Sequence, residues 1–178
     1  METFTVLKKL VDNPDYSEQR HKALCQLDMS TIDAPIIELI DGFSKLPYCF
    51  TLQSCYGHFL HDHQRDPQNL DPLPISENLN HVEYRIAYLA LCLQDSDPGR
   101  ELFDDLKEIP AIDPEYIQFG CAEWFWKKQV NSYALQVEPK RHMRTDKISV
   151  SYQEALHIEK IRDAFFHGLK KIIQQRTD

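Results

Sequence analysis

The sequence predicts an α+β protein: a mixed β-sheet packed by helices, with helices at the N-terminus and one long helix at the C-terminus. Three observations carry this expectation. Runs rich in aromatic and β-branched residues, at 48–52 and 133–137, read as strands. Apolar residues recur every three or four positions around 36–43 and again from Ala155 to Ile173, which is the spacing of a helix buried along one side. A chain of 178 residues that is 42% hydrophobic builds one substantial core, so residues 1–178 are expected to form a single domain.

In chain order, residues 1–11 and 17–29 carry mixed helical spacing and predict two short helices. N-P-D-Y lies between them, where Pro14 stops a continuous helix. Asp33 is placed to cap a third helix, with Pro35 in its first turn and Ile36, Ile37, Leu39, Ile40 and Phe43 as its apolar stripe. Leu46-Pro47 ends that helix, and residues 48–52 follow as a strand that leads into a loop. Residues 64–80 are rich in Pro, Asp, Asn and Gln, and predict a long loop that acts either as a lid over the preceding segment or as a mobile insertion.

Residues 81–93 alternate and then become continuously apolar, the pattern of one strand entering the sheet centre. A turn at 95–98 opens a helix over 99–108, where Leu102, Phe103 and Leu106 face the core. Residues 116–126 and 133–137 read as a hairpin around K-K-Q-V-N, which places Trp124 and Trp126 on one face of a strand. Those two rings serve packing, or else form a stacking platform, and the matching function would be a non-catalytic interaction module. Ser149 or Ser151 opens the final helix.

Five widely spaced cysteines, odd in number and mostly in apolar stretches, are expected to be reduced thiols. No apolar run approaches the roughly 20 residues of a membrane span and the N-terminus lacks the order of a signal peptide, so a soluble, cytoplasmic protein is expected. A net charge of −8 disfavours nucleic acid as a general partner, because that affinity rests on Lys and Arg. The run Lys140, Arg141, His142, Arg144 and Lys147 reads as a solvated turn or as a local basic patch for nucleic acid.

The densest chemistry is at 51–63, T-L-Q-S-C-Y-G-H-F-L-H-D-H, with a thiol, hydroxyls, a glycine and three imidazoles. Cys55, His58, His61 and His63 are a complete donor set for zinc, although C-x2-H-x2-H-x-H is no standard finger. Two or three of them would leave a position open for water, as in a metal-dependent hydrolase, and the alternative is a non-catalytic metal-binding domain. Cys55 could instead be a nucleophile activated by His58. Ser54 is suited to bind an anion, with Gly57 letting its backbone approach a small ligand. Neither a P-loop lysine nor G-x-G-x-x-G is present. His157 and His167 read as surface or boundary residues, and Glu123 acts as acid or base only if its strand ends near the cluster.

D-A-P-I-I-E-L-I-D followed by L-P-Y-C-F-T-L-Q-S-C-Y-G-H resembles the N-terminal signature of the wybutosine-synthesis (tRNA) methyltransferase-like family, in which an apolar helix leads to a strand and T-x-S-S-C-x-G-R. Thr51, Ser54, Cys55 and Gly57 match that motif, and the order of elements is similar from Asp33 to Ile173. The resemblance implies a methyltransferase-like enzyme with S-adenosylmethionine as cofactor. Thr51, Ser54 and Gly57 would bind the cofactor and Cys55 and His58 would stand at the reacting end; in the family the acceptor is a modified tRNA guanosine. Gln53 replaces the first motif serine. His58 replaces the arginine, which puts a titratable imidazole where the family has a fixed cation and points to a different substrate.

Overall fold

Residues 4–75, 79–142 and 146–177 are described by a computed structural model. The order of elements is β1 (Phe4–Thr5), α1 (Tyr16–Gln26), α2 (Ile37–Lys45), β2 (Cys49–Cys55), β3 (His58–Leu60), β4 (His81–Arg85) and β5 (Ala87–Leu93). It continues with α3 (Asp97–Glu108), β6 (Ile117–Ala122), α4 (Glu123–Lys128), β7 (Ser132–Val137), β8 (Lys147–Ser151) and α5 (Tyr152–Thr177). The α+β class and the long C-terminal helix are as expected. The sheet is not mixed, however: among the described residues every strand pair is antiparallel, and the strands form two sheets, ordered β1-β6-β7-β5-β2 and β3-β4-β8.

The first expected helix, over residues 1–11, is absent from the described residues 4–11. Residues 4–5 pair with Ala122 and Cys121, and the segment that follows has no regular secondary structure. There its backbone finds distant partners: the Val11 N–H donates to Asn131 Oδ1 (2.9 Å), Asn131 Nδ2 donates to the Val11 carbonyl (2.7 Å), and the Tyr133 hydroxyl donates to the Lys8 carbonyl (3.0 Å). These bonds satisfy groups that a weakly amphipathic helix would have paired internally, so tertiary context outweighs local propensity.

The 81–93 run is two strands in different sheets. It breaks at Ile86, whose N–H donates to the Asp146 carbonyl (3.1 Å). Tyr84, fully buried, fastens the break by accepting from the Ala87 N–H (2.8 Å) and donating to the Val137 carbonyl (3.0 Å). β5 then lies between β7 and β2, paired on both sides. The strand β8, with buried Ile148 and Val150 between exposed neighbours, takes in Ser149 and Ser151, so the final helix starts only at Tyr152. Ser151 still caps it, its hydroxyl accepting from the Glu154 N–H (3.2 Å).

The hairpin of β6 and β7 forms as expected, but the chain between them folds into α4, so Trp124 and Trp126 are on a helix rather than alternating in a strand. Trp126 packs edge-on to Tyr133, with the Lys8 ammonium 5.0 Å from its ring centre. Helix α5 buries Phe165, Leu169 and Ile173 in the main core with Leu39 and Phe43 of α2 and Leu89 and Leu91 of β5. Each such side chain removed from water contributes about 1.5–3 kcal/mol. Arg20 of α1 binds the end of α2 to the start of β2, donating to the carbonyls of Ser44 (2.7 Å), Leu46 (3.0 Å) and Cys49 (3.1 Å).

Candidate functional site

The reactive cluster is a corner rather than a loop. β2 runs through the motif to Cys55, with an irregularity in its register between Thr51 and Gln53. After Tyr56 and Gly57 the chain enters β3 at His58, in the smaller sheet. Gly57 makes that passage with φ at +90°, a left-handed backbone favouring glycine, and a Cβ there would lie 2.8 Å from the Cβ of Ala87. Its carbonyl accepts from Arg162 of α5 (3.3 Å), a buried guanidinium whose plane also lies 4.2 Å from the centre of the Tyr56 ring. The Tyr56 hydroxyl donates to Asp163 (2.9 Å).

Asp33 belongs to this corner. No side-chain capping bond is made at the 3-10 turn Ala34–Ile36 that leads into α2. Instead Asp33 Oδ2 accepts from the Tyr56 N–H (2.7 Å) and lies 3.4 Å from His58 Nε2. The other ring nitrogen, Nδ1, lies 3.0 Å from the Asn69 carbonyl. His58 is therefore buried between two acceptors. The Asp33 carboxylate foremost, then the Cys55 thiol and, after the opposing effect of burial, the Asn69 carbonyl, hold its pKa up at about 10. Burial pushes the Asp33 carboxyl up, but the hydrogen bonds from His58 and the Tyr56 amide prevail and bring it below the usual carboxylate range. A pKa of that height keeps the imidazole protonated at neutral pH.

Cys55, half-buried, accepts at Sγ from the Gly57 N–H (3.4 Å). Asp33, Cys55 and His58 bring one ligand atom each to within 4.8 Å of one another, the one such group among the described residues. The donor set read from the sequence is not assembled: His61 and His63 stand outside this group. His61 forms a backbone bridge with Gln64, the His63 N–H donates to His61 Nδ1 (3.4 Å), and the two rings are 6.3 Å apart. Thr51 and Ser54 are half-buried on β2, which is an edge of the larger sheet. As a strand neighbour of Cys55, Ser54 faces the opposite side of the sheet.

The 64–80 segment lies on the corner. Asn69 meets His58, Leu73 and Leu79 are buried, the Leu73 N–H donates to Glu159 (2.9 Å), and the Tyr152 hydroxyl donates to the Pro74 carbonyl. Residues 76–78 lie outside the described part. Glu123 is far from this place: it follows the Ala122 end of β6, whereas the Ile117 end reaches Val137 and through it Ala87. It pairs with Lys8 (2.9 Å). His157 faces Asp113 (3.5 Å), and Arg141 pairs with Glu154; Arg144 lies outside the described residues.

Sequence reasoning missed Asp33, Asn69 and Arg162. D-A-P is a helix-start signature that hides a second role for the aspartate, a carbonyl partner leaves no mark in a sequence, and Arg162 was one of many charges on the final helix.

No protein-family model matches the sequence, and no curated protein matches it. Among solved structures the chain is similar to that described as the structure of PH1069 protein from Pyrococcus horikoshii, with a TM-score of 0.51 over 92% of this chain and 94% of that one, at 13% identity. That likeness is one of fold. No helix among the described residues is long and apolar enough to cross a membrane.

Proposed function

We propose that the 51–58 corner is the ligand site of a small-ligand-binding, methyltransferase-like enzyme that uses S-adenosylmethionine. The observation that carries this reading is that the motif resembling the methyltransferase-like family falls on the passage between the two sheets, where Asn69 of the following segment meets His58. The cofactor's amino, carboxylate and ribose groups need polar partners. The Thr51 and Ser54 hydroxyls on the edge of the larger sheet are of a kind that fits them. When bound, the cofactor supplies an activated methyl group; the chain binds, orients and excludes water. Methyl transfer needs the donor and acceptor held in line and little acid or base help, so positioning by rigid elements is the main requirement. The net charge of −8 makes a small acceptor a better fit than an extended polyanion.

Thermal denaturation with S-adenosylmethionine and with S-adenosylhomocysteine tests the reading. A ligand bound only by the folded state at about 100 times its Kd adds about 2.7 kcal/mol, which for a chain of this size raises the midpoint by about 5 °C or more. Ser54→Ala and Thr51→Val should weaken that shift. An unchanged midpoint at saturating concentrations of both compounds sinks the proposal.

A further inference from the structure

We infer that Asp33, Cys55 and His58 form a three-ligand zinc site, with Asp33 Oδ2, Cys55 Sγ and His58 Nε2 as ligand atoms and a fourth position left for water or an exogenous ligand. This inference does not rest on the methyl-transfer reading. The separation of His58 Nε2 and Asp33 Oδ2, 3.4 Å, is long for a charge-assisted hydrogen bond, which runs about 2.7–2.9 Å. It is close to the edge of a zinc tetrahedron, about 3.3 Å for metal bonds of about 2.0 Å. Cys55 Sγ completes a triangle in which all three atoms lie within 4.8 Å.

The second observation is what holds those atoms. Each ligand is oriented by a backbone group: Asp33 Oδ2 by the Tyr56 N–H (2.7 Å), Cys55 Sγ by the Gly57 N–H (3.4 Å), and the His58 ring by the Asn69 carbonyl at Nδ1 (3.0 Å). Outer bonds of this kind fix the tautomer and direction of metal ligands, and a histidine held at Nδ1 presents Nε2 to a metal. Both amides belong to the Tyr56-Gly57 passage, so the left-handed glycine that joins the sheets also builds the ligand shell.

The donor set selects the ion. A thiolate and an imidazole suit zinc and are foreign to magnesium and calcium, which take oxygen ligands. On binding, the thiol proton of Cys55 and the Nε2 proton of His58 pass to solvent, leaving a neutral imidazole still bonded through Nδ1. One thiolate and one carboxylate then neutralise the two charges of the ion, so the loaded site adds no net charge to a partly buried corner. A three-ligand site with an open fourth position is of the type that activates water or polarises a bound oxygen.

The test uses the full chain, stripped with chelator, loaded with zinc or cobalt(II) and dialysed. One zinc per chain by elemental analysis is expected, and cobalt should give a thiolate-to-metal charge-transfer band with the intense visible bands of tetrahedral coordination. Cys55→Ser should abolish the charge-transfer band, and Asp33→Asn and His58→Gln should each lower zinc occupancy at least tenfold. His61→Ala/His63→Ala should leave both readouts unchanged. A wild-type chain that retains less than a tenth of an equivalent overturns the inference, as does a charge-transfer band that survives in Cys55→Ser or zinc lost from the His61/His63 double variant. Because the cobalt spectrum of the wild-type chain itself reports sulfur ligation, absence of that band overturns the inference even if a ligand variant fails to fold. A thermal shift with S-adenosylmethionine but no metal uptake would separate this failure from that of the methyl-transfer reading.

Discussion

The carboxylate of Asp33 and the amide of Tyr56 are joined by a 2.7 Å hydrogen bond across 23 residues of sequence. The bond connects the turn that opens α2 to the passage between the two sheets. It also sets the carboxylate beside His58, so one side chain serves a backbone donor and a buried cation together.

Removing that carboxylate should therefore cost more than a surface change. Asp33→Ala leaves the Tyr56 amide and the imidazolium of His58 without their acceptor, and a loss of about 2–4 kcal/mol is expected from urea denaturation. Asp33→Asn keeps an oxygen acceptor but loses the charge, and should fall between wild type and Asp33→Ala. Equal stability of all three proteins would show that the pair does not support the fold.

In the metal-free protein, stability should depend on the charge of His58. Its folded pKa of about 10 lies above the ordinary 6.5, so between those values the folded chain holds a proton that the unfolded chain releases. The stabilisation is complete below about pH 6.5 and is lost as the pH rises through about 10. The penalty of His58→Gln, measured by denaturant midpoints, should thus be largest near pH 6 and shrink toward pH 10. A penalty that is constant over this interval counts against a charged His58.

Gly57→Ala should be strongly destabilising, by about 2 kcal/mol or more, since it combines a left-handed φ with a contact of 2.8 Å to the Ala87 Cβ. Gly57→Ala with Ala87→Gly removes the side-chain collision but leaves the backbone conformation and the nearby Ala87 amide in place, so it should recover only part of the loss. Full recovery in the double variant would assign the whole cost to sterics.

Thiol labelling should divide the cysteines. Cys25 is exposed and should react with iodoacetamide at pH 8 in the native protein. Burial pushes Cys49 well above its ordinary value, Cys92 up to about 12 and Cys121 upward as well, so these three should label only after unfolding. Mass spectrometry of partly labelled protein reads the pattern directly, and early labelling of Cys92 would contradict its burial.

The elements with strong local signals are legible in the sequence. The stripe of Leu39, Ile40 and Phe43, the buried Leu102 and Leu106 of α3, and the apolar series of α5 are where periodicity places them. What escapes is decided by distant partners. Residues 6–11 are held by Asn131, Tyr133 and Cys121, and no local pattern announces that. The split of the 81–93 run depends on the Tyr84 hydroxyl and on the amide of Ile86, both of which meet residues more than 50 positions away. In the site, Cys55 and His58 were found from their chemistry, but their partners were not. His61 and His63 look equivalent to His58 in composition, yet His61 lies in the backbone bridge with Gln64 and neither ring joins Asp33, Cys55 and His58.

The chain leaves the larger sheet at Gly57 and returns to it at Ala87, and these two residues touch. Everything between them is an excursion with a closed neck. It includes Ile75, which is fully solvent-exposed. Added chain at that exposed position would lengthen the excursion without pulling on its neck, so a peptide inserted after Ile75 should be carried at little cost to the rest of the molecule. The same length inserted at the neck would part the two sheets.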